Sequence, residues 1–175
     1  MLLKNLSLLS LILLTACGFT PMNKLSDGYK TYSLTEQIEI RNIPNYEGFL
    51  LKNQLNNRLN PHKTNVAKNY TLTTYLKAPT YTDQSIQGDN FASRETISIR
   101  AKYQLKDKKT GKVILSDSTN VVGAYNIVKN PYATNVARNY LKDSLIPILA
   151  DNISQRIISF LRKKEDLSES KTNTD

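Results

Sequence analysis

The feature that most constrains the fold of this chain is a stretch of strict two-residue alternation at residues 96–105. Every second residue there is apolar or aromatic, and the residues between them are polar or basic. This period is typical of a β-strand with one buried face and one solvated face. A polar turn around Gly111 follows, and the alternation resumes over residues 113–125, which predicts an antiparallel hairpin. Because Asp117 and Gly123 interrupt the apolar face of the returning strand, we expect a bulge or an exposed end there.

Four further segments complete the predicted sheet and helices. Residues 36–41 alternate as a short strand, and residues 70–78 alternate as a longer one. Leucines at every fourth position predict an amphipathic helix over residues 46–59, and a longer apolar stripe predicts a second helix over residues 133–163. Pro147 lies within the second helix and should kink or divide it. We therefore predict an α+β fold, in which a four-stranded, mostly antiparallel sheet has two helices packed on one face, in the order β-α-β-β-β-α.

The N-terminal residues have the pattern of a secretory signal peptide. A single Lys precedes a nine-residue apolar run broken only by two serines, whereas a membrane-spanning helix needs about 20 apolar residues. The run ends in Leu14-Thr15-Ala16-Cys17, which resembles the lipobox of bacterial lipoproteins, so we expect lipid attachment at Cys17. The alternative is an ordinary secretory signal. The predicted organisation is a signal peptide at 1–16, a lipid-anchored tether at 17–31, a single domain at 32–163 and a disordered tail at 164–175.

The chain offers few residues for catalysis or metal binding. It has one Cys and one His, so it cannot form an internal disulfide and cannot supply the three or four ligands of a His/Cys zinc site. His62 follows Pro61 in a segment typical of an exposed turn, and we do not expect it to act as a general base. We predict no catalytic residue, no metal, no cofactor and no enzymatic activity.

The charge distribution indicates an anionic partner. Lys and Arg number 24 against 15 Asp and Glu, which gives a net charge of +9 at pH 7. Basic residues are concentrated on the strand and turn of the predicted hairpin, where they complement phosphates and carboxylates. The candidate binding residues are Arg100, Lys102, Lys106, Lys108, Lys109 and Lys112. The alternative is a solvated, charged hairpin that protects a sheet edge from aggregation.

Three local patterns resemble the LptE family of lipopolysaccharide-assembly lipoproteins. The first is Cys17-Gly18-Phe19-Thr20-Pro21, and the second is Ile38-Glu39-Ile40 followed by Ile43-Pro44 and the leucine-rich helix. The third is Tyr132-Ala133 and Ala137, then Leu149-Ala150-Asp151-Asn152-Ile153, at the spacing of that family's final helix. Together they extend over most of residues 17–163. The chain departs from the family at Leu145-Ile146-Pro147, in a stretch that is usually richer in Ala and charged residues.

The resemblance implies a non-enzymatic role at the outer membrane. Members of the family plug the barrel of LptD, help it fold, and are thought to bind lipopolysaccharide. The expected location is the periplasmic side of the outer membrane, with the acyl chains of Cys17 in the inner leaflet. Nucleic acid is not an expected partner, because a signal peptide removes the protein from the cytoplasm. The alternative is an auxiliary lipoprotein of an ABC-type lipid transport system, with an apolar lipid pocket between sheet and helices.

Overall fold

A computed structural model describes residues 34–86 and 92–172 of the chain. Within these ranges, two helices and five strands follow one another in an α+β arrangement, which confirms the predicted fold class. The elements are β1 (Ile38–Ile40), α1 (Tyr46–Leu59), β2 (Tyr70–Leu76), β3 (Thr80–Ile86), β4 (Ala92–Asp107), β5 (Val113–Asn126) and α2 (Pro131–Thr172).

Strand β4 is the centre of the sheet. Strand β5 pairs antiparallel with residues 94–106 of β4 along one edge. Strands β2 and β3 share the other edge, with β2 opposite residues 101–107 and β3 opposite residues 92–98. Strand β1 pairs with β2 in parallel, so the sheet is mostly antiparallel. Because β2 and β3 lie end to end, the sheet is four positions wide although it has five strands.

Strand β3 is an addition to the four strands that the sequence predicts. Pro79 has no backbone N–H to donate, so its presence predicts that the preceding strand ends before it. In the structure the chain stays beside β4 through this break, because the Lys77 N–H donates to the Arg100 carbonyl at 2.9 Å. Pairing then resumes with Thr80 opposite Ser98. The interruption is therefore local, and the strand continues after it.

The helices cover one face of the sheet, as predicted. The residues at alternate positions 97–105 of β4 are buried, and they join one apolar core with Leu51, Leu55 and Leu59 of α1. Helix α2 contributes fully buried Leu149 to the same core. The period of two thus separates β4 into an inner face against the helices and an outer face exposed to solvent.

The bulge or exposed end expected at Asp117 and Gly123 is wrong, because β5 continues through both residues to Asn126. The register of β4 and β5 is continuous there, and its irregularity lies between Leu105 and Lys106, next to the turn. Asp117 instead accepts a hydrogen bond from the Arg156 guanidinium of α2 at 3.0 Å. At Gly123 an added Cβ would lie 2.8 Å from a Leu141 methyl carbon. Both interruptions of the apolar pattern are places where α2 meets the sheet.

Helix α2 is longer than predicted. It continues through Pro147 as one element and extends to Thr172, so the proline does not divide it. The disordered tail predicted from residue 164 is wrong for residues 164–172, and 173–175 lie outside the described residues. One reason is that Lys164 lies 4.0 Å from Asp107 and over the Tyr70 ring at 5.3 Å, so this turn of helix packs against the sheet.

Among the described residues, no helix has both the length and the apolar character needed to cross a membrane.

Candidate functional site: the outer face of the sheet

The outer sheet face is the face of β2, β4 and β5 that the helices leave open. Its basic residues project from the central strand, at the even-numbered positions of β4. Arg94, Arg100, Lys102 and Lys106 are all exposed. Side chains two residues apart on a strand are separated by about 7 Å, so Arg100, Lys102 and Lys106 form a row along the middle of the sheet. Arg94 lies farther along the same face, and we call all four residues the basic row.

The six predicted binding residues do not all lie together. Arg100, Lys102 and Lys106 belong to the basic row, as their two-residue spacing predicted. Lys109 and Lys112 are exposed in the turn between β4 and β5. Lys108 is different, because its ammonium forms an ion pair with Glu39 on β1. This hydrogen bond lowers the pKa of Glu39 below its ordinary value.

The turn that carries the other lysines is held by Asp107. Its Oδ1 accepts hydrogen bonds from the Lys109 N–H at 2.8 Å and the Thr110 N–H at 3.1 Å. These backbone donors, that of Thr110 most strongly, lower the pKa of Asp107. Gly111 completes the turn at φ 69°, a conformation that residues with a side chain rarely adopt. The lysines of the turn therefore project from a fixed backbone.

No acidic group of the described residues neutralises the basic row. None of its four cations has an ion pair or a side-chain hydrogen bond within the described chain. Their cross-strand neighbours on β5 are uncharged, with Ser118 opposite Lys102 and Asn120 opposite Arg100. In water such charges are solvated at little cost, and they remain available to an anion.

Two residues extend this face beyond the predicted set. Arg94 continues the basic row toward the start of β4, and its even position on the alternating strand was the signal that could have placed it there. Tyr75 lies directly opposite Lys102 and is 61% exposed. A tyrosine in this position offers an apolar ring and a hydroxyl to the same ligand.

Among the described residues, no group of three or more His, Cys, Asp or Glu side chains is arranged to hold a metal ion. The alternative of a lipid carrier requires an apolar pocket between sheet and helices. The described residues there, including Ile97, Ile99 and Ile153, are fully buried against one another in the core. This packing gives the alternative no support.

The fold is an α+β domain with helices behind one face of a sheet and an open, cationic face in front. Residues 35–161 match the LptE family, described as lipopolysaccharide-assembly. The chain belongs to the LptE family, and it is therefore a lipopolysaccharide-assembly protein.

The individual relatives share less than a third of their residues with this chain. Uncharacterized protein RP188 of Rickettsia prowazekii (strain Madrid E) is 28% identical over 152 residues, which cover 87% of this chain and 93% of that protein. A crystal structure of a protein described as a lipoprotein from Caulobacter crescentus CB15 has a TM-score of 0.57 at 24% identity, over 77% of this chain and 97% of that one. Rare lipoprotein B from Shewanella oneidensis has a TM-score of 0.56 at 15% identity, over 73% of this chain and 99% of that one. At these identities the solved structures support the fold alone.

Proposed function

We propose that this protein is an outer-membrane lipoprotein that plugs an LptD-type barrel, assists its folding, and binds lipopolysaccharide on the outer sheet face. Family membership supports the assembly role. The observation that carries the binding role is the basic row, whose four cations have no acidic partner among the described residues. The protein acts by binding and carries out no covalent step.

The chemistry of the outer sheet face matches the polar part of lipopolysaccharide. That part carries phosphates and carboxylates on sugars. The Arg100 guanidinium has the planar geometry to bind a phosphate through two parallel hydrogen bonds, whereas Lys102 and Lys106 act as point charges. Because neighbouring side chains such as Ser118 are short, a bulky sugar headgroup has room to approach several cations at once.

The same face suits the inside of a barrel. The interiors of large outer-membrane barrels are polar, and their lipid-facing surfaces are apolar. A plug therefore needs a hydrophilic surface that remains stable against a wet wall, and tyrosines are favoured at such interfaces. The outer sheet face offers this combination, with Tyr75 beside the basic row.

Acylation at Cys17 supplies the anchor in this proposal. One acyl chain binds a membrane only marginally, and two or more chains anchor a soluble domain firmly. Cys17 is the sole cysteine of the chain and stands at the lipobox position. The acyl chains place the domain at the inner leaflet, beside the periplasmic mouth of the barrel.

The partner is tested by solubilising membranes in mild detergent and isolating the tagged protein. The proposal predicts a large, heat-modifiable barrel in a roughly equal amount. Recovery of ATPase or permease subunits in place of a barrel would contradict the plug role and favour the ABC-type alternative.

Lipopolysaccharide binding is tested with two charge-matched double variants. Lys102→Gln/Lys106→Gln removes two cations from the basic row, and Lys129→Gln/Lys163→Gln removes two exposed cations elsewhere. We expect the first variant to weaken binding roughly tenfold or more, since each charge-assisted hydrogen bond contributes about 1.5–3 kcal/mol before screening. The second should bind as the wild type does. Equal losses in both would indicate unspecific attraction between a basic protein and an anion.

A further inference from the structure

A second polar site lies beside the edge strand β1, among residues that are not part of the outer sheet face. It is a groove of about 730 Å³ between β1, one flank of α1 and the loop that follows the helix. Its walls carry the amides of Asn53, Asn56, Asn57 and Asn60, and its cations are Lys52, Lys63 and Lys68. We call it the amide groove. Its volume falls within the range of small-molecule binding sites.

The local sequence puts these amides on one flank of the helix. Lys52, Asn56 and Asn60 follow one another at four-residue intervals, and Asn53 and Asn57 repeat the interval beside them. Residues spaced in this way share a face of a helix. The neighbouring flank carries the leucines of the core, so burial of the leucines orients the amides toward β1.

Three of the four amides have no hydrogen-bond partner within the part of the chain that the structure describes. The side chains of Asn53, Asn56 and Asn57 make no hydrogen bond within the described residues. The side-chain amide of Asn60 donates a hydrogen bond to a backbone carbonyl at or just before the start of β1, so it already has a partner within the protein. A free carboxamide presents two donors and an acceptor. Three of them along one wall match a ligand with many hydroxyl groups that both donate and accept, as a sugar does.

The cations give this groove a preference for negative charge. Among the described residues, the Lys52 ammonium donates a hydrogen bond only to Asn42 Oδ1, at 3.4 Å, and the Lys63 side chain has no hydrogen-bond or ion-pair partner. The Lys68 ammonium donates a hydrogen bond to the backbone carbonyl of Glu36. Glu39 is the one carboxylate among the described lining residues, and the Lys108 ammonium compensates its charge.

The backbone at Lys63 supports a role for its side chain. Lys63 has φ 49°, in the left-handed region that residues other than Gly, Asn and Asp rarely adopt. Its N–H donates to the Asn60 carbonyl at 3.2 Å, which ties the residue to the end of α1. A glycine would satisfy this turn without strain. Strained residues concentrate at binding sites, so a lysine in this position is consistent with an ammonium group that binds a ligand.

We propose that the amide groove binds an acidic oligosaccharide, with Asn53, Asn56 and Asn57 bonding to sugar hydroxyls and Lys52 and Lys63 pairing with a phosphate or carboxylate. Two envelope sources share this chemistry: the saccharide of lipopolysaccharide and carboxylated fragments of the cell wall. The proposal adds a ligand site to the proposed function and requires neither the barrel nor the basic row.

The test is calorimetric titration of the full, acylated protein in nanodiscs of neutral phospholipid. One probe is the delipidated, phosphorylated oligosaccharide of lipopolysaccharide, and its control is the same oligosaccharide with the phosphates removed and the carboxylates reduced, which carries no negative charge. A second probe is a carboxylated disaccharide of the cell wall. Stronger binding of either acidic probe than of the uncharged control supports the proposal and identifies the source. No binding of either acidic probe, or equal binding of the uncharged control, overturns it.

Matched variants locate the site. Lys52→Gln/Asn57→Ala removes one cation and one exposed helical amide from the groove, and Lys163→Gln/Asn139→Ala makes the same changes on α2. We expect the first to weaken binding of the acidic probe at least tenfold and the second to leave it unchanged. Lys63→Gly should retain the melting temperature and still weaken binding severalfold. If Lys102→Gln/Lys106→Gln abolishes binding and the groove variants do not, the oligosaccharide occupies the outer sheet face, and the groove proposal fails while the proposed function stands.

Discussion

The helix side of the molecule and the outer sheet face carry the same kinds of cation and use them differently. On the helix side, five cations form ion pairs with acids on a neighbouring element. The pairs are Arg58 with Asp151, Arg138 with Glu95, Lys142 with Glu47, Arg156 with Asp117, and Lys164 with Asp107. On the outer sheet face, the basic row has no such partner in the described chain. The five ion pairs join elements of the fold, whereas the cations of the basic row are available to a ligand.

The strongest test of this comparison is Arg138 against Arg100. Arg138 bonds to Glu95 at 3.1 Å and to the Tyr125 hydroxyl at 2.6 Å, and the Glu95 side chain is only 11% exposed. Arg138→Ala leaves that carboxylate buried without its partner, so we expect the free energy of unfolding to fall by about 2–3 kcal/mol. Arg100→Ala should change it by less than about 0.5 kcal/mol. Urea denaturation measures both, and equal losses would remove the distinction between the two sides.

The reverse result is expected for ligand binding. Arg100→Ala should weaken lipopolysaccharide binding roughly tenfold, which is about 1.4 kcal/mol. Arg100→Lys should recover only part of the loss, because an ammonium cannot form the bidentate contact with phosphate. Titrations at low and high salt would show a smaller salt dependence for the alanine variant. Full recovery by lysine would mean that charge alone matters at this position.

A third prediction concerns the pH dependence of a pair on the helix side. The Lys142 ammonium donates to Glu47 at 2.8 Å and links the two helices. This bond lowers the pKa of Glu47 below its ordinary 4.5 and raises the pKa of Lys142 above its ordinary 10.5. The contribution of Glu47 is therefore present above about pH 4.5 and is lost as the pH falls through the lowered pKa. That of Lys142 is present below about pH 10.5 and is lost as the pH rises through the raised pKa.

Glu47→Gln tests this pair directly. We expect a loss of about 0.5–1 kcal/mol in the free energy of unfolding at pH 7, and a weaker fall in stability on acidification below pH 4.5. Denaturation curves from pH 3 to pH 8 measure both quantities. An unchanged acid slope would show that other carboxylates control the acid response.

The smallest effect is expected at Arg156. Its side chain is 61% exposed and that of its partner Asp117 is 37% exposed, and surface pairs of this kind contribute about 0–1 kcal/mol. Arg156→Gln should change stability by less than about 0.5 kcal/mol and leave lipopolysaccharide binding unaltered. A clear loss of binding would extend the ligand surface to the helix side and weaken the comparison.

Local periodicity was enough to predict much of the fold. Alternation over residues 96–105 predicted which face of β4 is buried, and the leucines at 51, 55 and 59 predicted the inner flank of α1. Strand β3 was not predictable in this way, because it depends on register with β4 across Pro79. The continuation of α2 beyond residue 163 was not predictable for a similar reason, since Lys164 meets Asp107 at the end of β4, far away in sequence.

The candidate site was predictable only in part. A period of two placed Arg100, Lys102 and Lys106 on one face. The ion pair of Lys108 with Glu39 could not be predicted, because the parallel contact of β1 with β2 brings these two distant residues together. The amide groove was not predictable from the sequence. Its asparagines have the pattern of the solvated side of any amphipathic helix, and only the folded chain brings β1 and the loop after α1 next to them.

The most direct test of the central claim is photo-crosslinking in living cells. A photoreactive amino acid replaces Ser118 on the outer sheet face or, as the control, Ser159 on α2; both serines are exposed and neither belongs to the basic row. We expect adducts with lipopolysaccharide at position 118 and few or none at position 159. Adducts at 159 without adducts at 118 would contradict binding on the outer sheet face, because the ligand would then lie on the helix side.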